Sequence, residues 1–376
     1  MEPERSIAPR GVEANVESEW PLSLSSTGAS WIPPRSECGV HRHEDGVAAG
    51  ATPTAAHRMP LRVFHSVLEP AGPQAASITW LWWITLAICA AVFVIVLGAL
   101  GAAMVRSWMR RRDASASGDA SMLGAAVAAG VGLTVVILFG LLVADVRAHR
   151  IMSSFGAASA VSIAVTGHQW WWEIEYEDAT PSRRLKTANE IHIPIGRPVV
   201  FKFASHDVIH SFWAPNLQGK RDLVPGIASA IWLQADRPGI YRGQCAEFCG
   251  RQHAHMAFDI VAEPDADFER WLDAGRASAR EPQGEEAMRG RAVFLARQCA
   301  FCHTIRGTGA SGSIGPDLTH LASRGTIAAG TLPNSRGHLA GWIVNSQTIK
   351  PGNQMPPNPL EAGDLQALLA YLEELR

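Results

Sequence analysis

Hydrophobic positions along the chain fall into three successive patterns, and each pattern predicts a different kind of structure. Two uncharged apolar runs come first, over residues 78–105 and 122–144. Each run exceeds the roughly 20 residues that a helix needs to cross a bilayer. Two buried core helices are the alternative interpretation, and the length of the runs argues against it. We therefore predict a transmembrane helical hairpin over residues 71–150.

Short runs with alternating polarity follow over residues 151–265, separated by turn sequences such as PIGRP and DRPG. Many short strands with little helix favour a β-sandwich or a small barrel. We interpret the charged residues 266–285 as a helical or flexible linker. Helical spacing returns over residues 286–376, which end in an amphipathic helix. Residues 1–70 show no sustained periodicity and no ordinary signal peptide, so we expect a polar and largely disordered extension.

The positive charges predict how the helical hairpin is oriented in the membrane. Four arginines lie between the two apolar runs, at Arg106, Arg110, Arg111 and Arg112. Positive loops face the cytoplasm, so the regions on either side of the hairpin are expected outside, which is the periplasm in a bacterium. The net charge is -2 and no basic stripe with interleaved aromatic residues is present, which argues against a nucleic-acid partner.

Two close cysteine pairs carry the candidate chemistry. Cys245 and Cys249 lie in GQCAEFCGRQHAHM, where three residues separate them, whereas a thioredoxin-type pair has two. A structural zinc site would need a second close pair, and Cys299 and Cys302 belong to a different motif. Thiolates with imidazole and thioether groups favour copper, and two thiolates on one loop can bridge two copper ions. A disulfide remains the alternative for an unmetallated form.

Further ligands for such a copper pair lie nearby in the sequence. His253 and Met256 can each cap one copper ion, which leaves one nitrogen ligand to be found. The upstream stretch SHDVIHSFWAPNLQGKRD offers His206 and His210 after a predicted strand.

The motifs DVIHSFW and CAEFCGRQHAHM resemble subunit II of the haem–copper cytochrome c oxidases, which hold a binuclear copper A site in an all-β cupredoxin domain, a Greek-key sandwich. The resemblance implies five side-chain ligands and one backbone carbonyl, that of Glu247. It also implies that the Glu247 carboxylate holds Mg²⁺ at the boundary with subunit I, while His206 and His255 fall outside the pattern. The implied copper ligands are His210, Cys245, Glu247, Cys249, His253 and Met256.

The aromatic stretch GHQWWWEIEY also resembles the oxidase subunit, beside its copper site. The resemblance places Trp170 where electrons arrive from cytochrome c. The alternative is a packed strand whose alternate residues face the core. Neighbouring acids could steer a basic donor or form an ordinary solvated face, namely Glu173, Glu175, Glu177, Asp178 and Asp207.

The sequence CAFCH, ending at His303, has the spacing of a c-type haem attachment site, with two thioether links from Cys299 and Cys302 and His303 as an axial ligand. The later GPDLTHLASR and NQMPPNPL complete an order that resembles the all-α class I cytochromes c. Met355 is the only methionine after the attachment site, and the resemblance makes it the sixth ligand. His320 and His338 are the competing ligands. The resemblance also implies that the Pro316 carbonyl orients His303.

The succession of a two-helix span, a copper domain and a haem domain resembles a caa3-type subunit II with a fused cytochrome c domain. That family passes electrons from a soluble cytochrome c through haem c and copper A to subunit I, which reduces oxygen to water with proton translocation. It implies subunits I and III as partners in the bacterial inner membrane. Alternatives are the input subunit of a copper A-containing nitric-oxide reductase and a membrane-tethered copper-delivery module, which would have no use for a haem domain.

Overall fold

The structure is a computed structural model that describes residues 61–110, 120–153 and 161–376. Nearly all of the predicted polar extension lies outside the described residues, as do Arg111 and Arg112. Within the described residues, the chain contains a helical hairpin, a β-sandwich and a domain of short helices, which confirms the predicted fold class.

The hairpin consists of α1 (Pro73–Arg110) and α2 (Ala120–Ser153), and both helices are long and apolar enough to cross a membrane. Large apolar side chains point outward along both helices. Phe93 is 64% exposed and Phe139 is 66% exposed. Such surfaces are unfavourable in water and favourable in lipid, so the alternative of two buried core helices is excluded.

Two five-stranded sheets form the sandwich, in the orders β3-β2-β1-β5-β8 and β4-β10-β9-β6-β7. The pairs β1–β5 and β4–β10 are parallel and the other strand pairs of the sandwich are antiparallel. Alternate positions of β1 and β9 are buried, as expected for strands that face a core on one side. The strands are β1 (Val161–His168), β2 (Trp171–Tyr176), β3 (Leu185–Ala188), β4 (Glu190–Pro194), β5 (Val199–Ser205), β6 (His210–Trp213), β7 (Arg221–Leu223), β8 (Ser229–Leu233), β9 (Gly239–Cys245) and β10 (Ala257–Glu263).

Aromatic rings fill the space between the sheets. The Phe212 and Phe258 rings stack with centroids 4.2 Å apart, and Trp172 meets Phe258 edge-on at 5.4 Å. All three residues are fully buried. Each such side chain contributes roughly 1.5–3 kcal/mol by burial, so the strands that carry the candidate copper ligands rest on a rigid core.

The helix α3 (Asp265–Arg276) belongs to the sandwich domain, which we define as residues 161–276. Phe268 and Leu272 lie four residues apart on one face of α3 and are buried in the sandwich core. Trp271 stacks on His192 with centroids 4.0 Å apart. The segment that the sequence analysis assigns to a linker over residues 266–285 therefore begins with a packed helix.

The helical domain, residues 285–376, packs five helices around a second core. An added Cβ at Gly290 would lie 1.9 Å from the carbonyl oxygen of Ala367, so α4 and α8 cross closely only because this residue is glycine. The helices are α4 (Glu285–Ala296), α5 (Cys299–Cys302), α6 (Arg336–Val344), α7 (Ser346–Ile349) and α8 (Ala362–Glu373), and a short ladder joins β11 (Thr326–Ile327) to β12 (Leu332–Pro333).

Candidate metal and haem sites

Three neighbouring strands of the second sheet bring the predicted copper ligands together. Strand β6 begins at His210, strand β9 ends at Cys245, and β10 begins directly after Met256. These strands lie in the order β10-β9-β6. The copper loop, which we define as residues 246–256, connects β9 to β10 and contains a 3-10 turn at His253–His255. Residues far apart in sequence therefore meet at one end of one sheet.

All six predicted donor atoms converge on the two cysteine sulfurs. The sulfurs lie 3.8 Å apart. One ligand atom from each of His210, Cys245 and Cys249 lies within 4.8 Å of the other two. Each sulfur has two further neighbours. The contacts are Cys245 Sγ to His210 Nδ1 at 3.9 Å, Cys245 Sγ to the Glu247 carbonyl at 3.2 Å, Cys249 Sγ to His253 Nδ1 at 3.7 Å and Cys249 Sγ to Met256 Sδ at 3.9 Å.

This donor set fits two copper ions that share the sulfurs. Thiolate, imidazole and thioether ligands suit copper. The buried members of the set are His210, Cys245, Cys249 and Met256. A hydrogen bond from the Cys249 thiol lowers the pKa of Cys245 to about 3, although burial opposes this effect. A lowered pKa favours the thiolate form of Cys245, which is the form that binds a metal.

Asp207 orients the His210 ring, a role that the sequence analysis missed because it considered Asp207 only as a steering acid. His210 Nε2 lies 2.8 Å from one carboxylate oxygen of Asp207, and the other oxygen accepts the Gln169 backbone N–H at 2.7 Å. A carboxylate can only accept, so Nε2 carries the proton and Nδ1 faces Cys245 with its lone pair. An added Cβ at Gly167 would lie 2.7 Å from the His210 ring, so only glycine leaves room for this ring position.

The other acids near the aromatic stretch are paired within the chain. Glu173 lies 3.4 Å from His168 Nε2 and accepts a hydrogen bond from Lys186 at 2.9 Å, and the contact with His168 is the largest cause that lowers the pKa of Glu173 to about 2. These pairs leave little unpaired negative charge to steer a basic donor towards this face. The remaining pairs are Glu175 with Lys186, Glu177 with Lys202 and Asp178 with Arg183.

The predicted haem ligands line one cavity of the helical domain. Cys299, Cys302, His303 and Met355 all line it. His303 Nδ1 donates to the Pro316 carbonyl at 2.8 Å, the contact that the resemblance implies. Burial lowers the pKa of His303, so the ring is neutral and its Nε2 can bind a metal.

The walls of this cavity are apolar, with contributions from Phe294, Leu339, Ile343 and Leu368. Two thiols, an imidazole nitrogen, a thioether and apolar walls fit a covalently attached haem. Neither competing histidine lines the cavity. His320 Nε2 lies 3.2 Å from the Ala277 carbonyl, and the exposed His338 contacts Ser335 Oγ at 2.9 Å.

Trp170 lies between the two sites. Only 9% of it is exposed, its Nε1 donates to the Cys249 carbonyl at 2.9 Å, and it lines the haem cavity. The helical domain thus covers the residue at which the sequence analysis expects electrons to arrive directly from a soluble cytochrome c. This covering could not be foreseen from the aromatic stretch, because the residues that cover Trp170 lie about 180 positions later.

Comparison with known proteins identifies both domains. Residues 161–263 match the family described as cytochrome C oxidase subunit II, periplasmic domain, and residues 287–376 match cytochrome c. The chain therefore carries a domain similar to the periplasmic domain of cytochrome c oxidase subunit II, followed by a domain similar to cytochrome c. Two apolar helices, each long enough to cross a membrane, precede these domains. This arrangement fits a membrane protein with a periplasmic domain.

Relatives named cytochrome c oxidase subunit 2 extend the match. The chain is 41% identical to that of Alkalihalophilus pseudofirmus over 219 residues, which are 58% of this chain and 62% of the relative. It is 30% identical to that of Bacillus sp. strain PS3 over 233 residues, 58% of this chain and 63% of the relative. The chain thus spans less than two thirds of the length of these relatives. A crystal structure of the periplasmic domain of subunit II of cytochrome oxidase of Bradyrhizobium japonicum is 27% identical, covers 32% of this chain and 97% of that domain, and has a TM-score of 0.30.

Proposed function

We propose that this chain is the electron-relay subunit II of a membrane-bound cytochrome c oxidase. The observation that carries the proposal is the convergence of six donor groups around two sulfur atoms 3.8 Å apart. When bound there, a dicopper centre supplies one-electron transfer without bond making. The chain provides every ligand, so no coordination position is left for a substrate, and oxygen chemistry belongs to a partner subunit.

The protein's part in the relay is to hold the ligands still. His210, Cys245 and Met256 are buried, and they sit at the ends of strands that pack on the aromatic core. Asp207 fixes the proton and the orientation of the His210 ring. Ligands that do not rearrange keep the energetic cost of gaining or losing an electron small, which suits rapid transfer.

The helical domain is proposed to carry haem c, linked through Cys299 and Cys302, with His303 and Met355 as axial ligands. Histidine with methionine raises the potential of a haem iron, as an electron carrier in an oxidase chain requires. Because the helical domain covers Trp170, a soluble cytochrome c is proposed to deliver electrons to the haem, and Trp170 to lie on the internal route towards Cys249.

The remaining partners follow from the same proposal. Electrons leave the copper site for subunit I, which reduces oxygen to water with proton translocation, and subunit III completes the complex. On this proposal the chain lies in the bacterial inner membrane through its two helices, with both domains in the periplasm. The Glu247 carbonyl faces Cys245 Sγ, which leaves the half-buried carboxylate free to hold Mg²⁺ at the subunit I boundary.

Low-temperature electron paramagnetic resonance of the purified full chain, together with its visible spectrum, tests the proposal. We expect the seven-line copper signal of a mixed-valence pair and the absorption bands of c-type haem. A four-line signal from mononuclear copper would contradict the six-donor site. The absence of c-type bands would contradict the haem assignment alone.

A further inference from the structure

Lys350 is a buried lysine that lines the haem cavity but is a ligand at neither proposed metal site. It follows α7 directly and is 2% exposed. Its Nζ donates to the carbonyl oxygens of Trp170 at 2.8 Å, His255 at 2.7 Å and Ala328 at 3.1 Å. An ammonium group has three N–H bonds, so each of them has an acceptor.

The three acceptors belong to both domains. Trp170 and His255 are in the sandwich domain, whereas Ala328 is in the helical domain. The His255 carbonyl lies in the copper loop, between the proposed ligands His253 and Met256. The Trp170 indole donates to the Cys249 carbonyl. Lys350 therefore contacts the backbone of the copper loop and of Trp170, whose indole contacts Cys249.

On its own side, Lys350 belongs to the loop that carries the proposed haem ligand Met355. The Met355 carbonyl accepts hydrogen bonds from Ser346 Oγ at 2.6 Å and from Gln347 Nε2 at 2.9 Å. The Met355 N–H donates to Asn353 Oδ1 at 2.8 Å. These bonds connect the Met355 backbone to α7 and to Asn353, three residues after Lys350.

Packing alone does not account for a lysine at this position. Burying an ammonium group without a carboxylate partner is unfavourable, and burial lowers the pKa of Lys350 to about 7. A methionine would fill a similar volume without that penalty. Two further contacts between the domains lie beside it, Gln252 Nε2 to the Pro351 carbonyl at 2.8 Å and Ala257 N to the Ala329 carbonyl at 3.0 Å.

We propose that Lys350 is a positioning residue whose three hydrogen bonds, the Lys350 clasp, fix the haem cavity against Trp170 and the copper loop in a single arrangement. The effect of this clasp on electron transfer from haem to copper rests on the proposed relay function. If haem c and a dicopper centre are bound by the residues named above, one electron would pass from the reduced haem to the oxidised copper pair, with no bond formed and no proton moved. The distance for that transfer is then set by a buried contact, which salt screens little.

Hydrogen–deuterium exchange on the full chain tests the clasp without relying on electron transfer. In Lys350→Met we expect at least tenfold faster exchange in residues 252–257 and 326–332, with α8 and β1 unchanged. The matched control is Lys202→Met, which removes an exposed lysine whose partner is Glu177. Unchanged exchange in Lys350→Met would overturn the proposal.

Flash-induced electron transfer from haem to copper supplies the functional readout. In Lys350→Met we expect a rate at least tenfold slower while both metal spectra stay as in the wild type, and partial recovery in Lys350→Arg, which keeps the charge and donors. Loss of the Met355 sulfur-to-iron band with unchanged exchange in residues 252–257 would show that Lys350 only builds the haem loop, and would overturn the proposal.

The wild-type chain provides a test that needs no variant to fold. Exchange in residues 252–257 and 326–332 is expected to be the same at low and high salt, and acceleration at high salt would contradict a buried clasp. If the wild type binds no copper pair or no haem, the proposed function fails, but the exchange experiments still decide whether Lys350 joins the domains.

Discussion

The copper site and the haem site of this chain are built in opposite ways. In the sandwich domain, the two cysteine sulfurs lie within 4 Å of each other, and each of the other four donor atoms lies within 4 Å of one sulfur. They meet because the start of β6, the end of β9 and the start of β10 lie at the same edge of one sheet. In the helical domain, the ligands line a cavity, with His303 after a short helix and Met355 on a separate loop. The sheet and the copper loop thus supply the whole first site from within the sandwich domain, whereas the second depends on a loop, on the covalent links and on how the domains dock.

Removing one sulfur should produce the largest and most local effect. Cys249→Ser takes away one of the two bridging groups and a neighbour of both His253 and Met256. We expect the copper pair to be lost completely while the haem content stays at the wild-type level, measured by metal analysis and visible absorption. Cys89→Ser, on the exposed surface of α1, is the control. Loss of haem together with copper would show that the two sites are not independently built.

The reciprocal change acts on the haem side. Met355→Ala removes the thioether that lines the cavity with His303, so the sulfur-to-iron band should disappear and the haem potential should fall, while the copper signal is unchanged. Met288→Ala, a half-exposed methionine of α4, is the control. A wild-type spectrum that has no such band, and that Met355→Ala leaves unchanged, would point to His320 or His338 as the ligand.

A smaller effect is expected at the residue that orients His210. Asp207→Asn can still contact the ring but no longer fixes its proton with a charge. Loss of such a partner weakens metal binding by about 10–100-fold, which competition with a copper chelator would measure. Asp222→Asn on the exposed edge strand β7 is the control. Copper affinity equal to that of the wild type would remove Asp207 from the site.

Trp170→Ala tests whether electrons pass through the residue that lies between the haem site and the copper site. We expect several-fold slower transfer from haem to copper, with both spectra intact, because the indole connects the haem cavity to the Cys249 carbonyl. Trp271→Ala, which alters a ring stacked on His192 far from this route, is the control. An unchanged rate in Trp170→Ala would mean that electrons bypass this ring.

The smallest effect is a dependence of stability on pH. The pKa of Glu173 lies at about 2, below its ordinary value of 4.5, so its ionised form stabilises the folded chain above pH 4.5 and this contribution is lost as the pH falls to 2. Glu173→Gln should lower the free energy of unfolding by on the order of 1 kcal/mol at pH 7, because solvent screens a partly exposed pair. Denaturant unfolding at pH 7 and pH 2 would measure it. An equal loss at both pH values would contradict this origin.

The sequence reveals those parts of the molecule whose signal is local. The apolar runs predict α1 and α2, and the spacing within CAEFCGRQHAHM and CAFCH, with the resemblance, predicts ligand sets that the structure brings together. The helix α3 was assigned to a linker because Phe268 and Leu272 are two apolar residues in a charged run, and the surface that buries them comes from distant strands. No sequence pattern predicts the role of Lys350, because its three partners are backbone carbonyls that come together only in the folded chain.

Metal analysis of the intact, folded chain tests the central claim most directly, because the account requires two copper ions held between Cys245 and Cys249. We predict two copper atoms and one iron atom per chain, with copper lost and iron kept in Cys249→Ser. Zinc at the two sulfurs, or a chain that folds with no metal between them, would contradict the account.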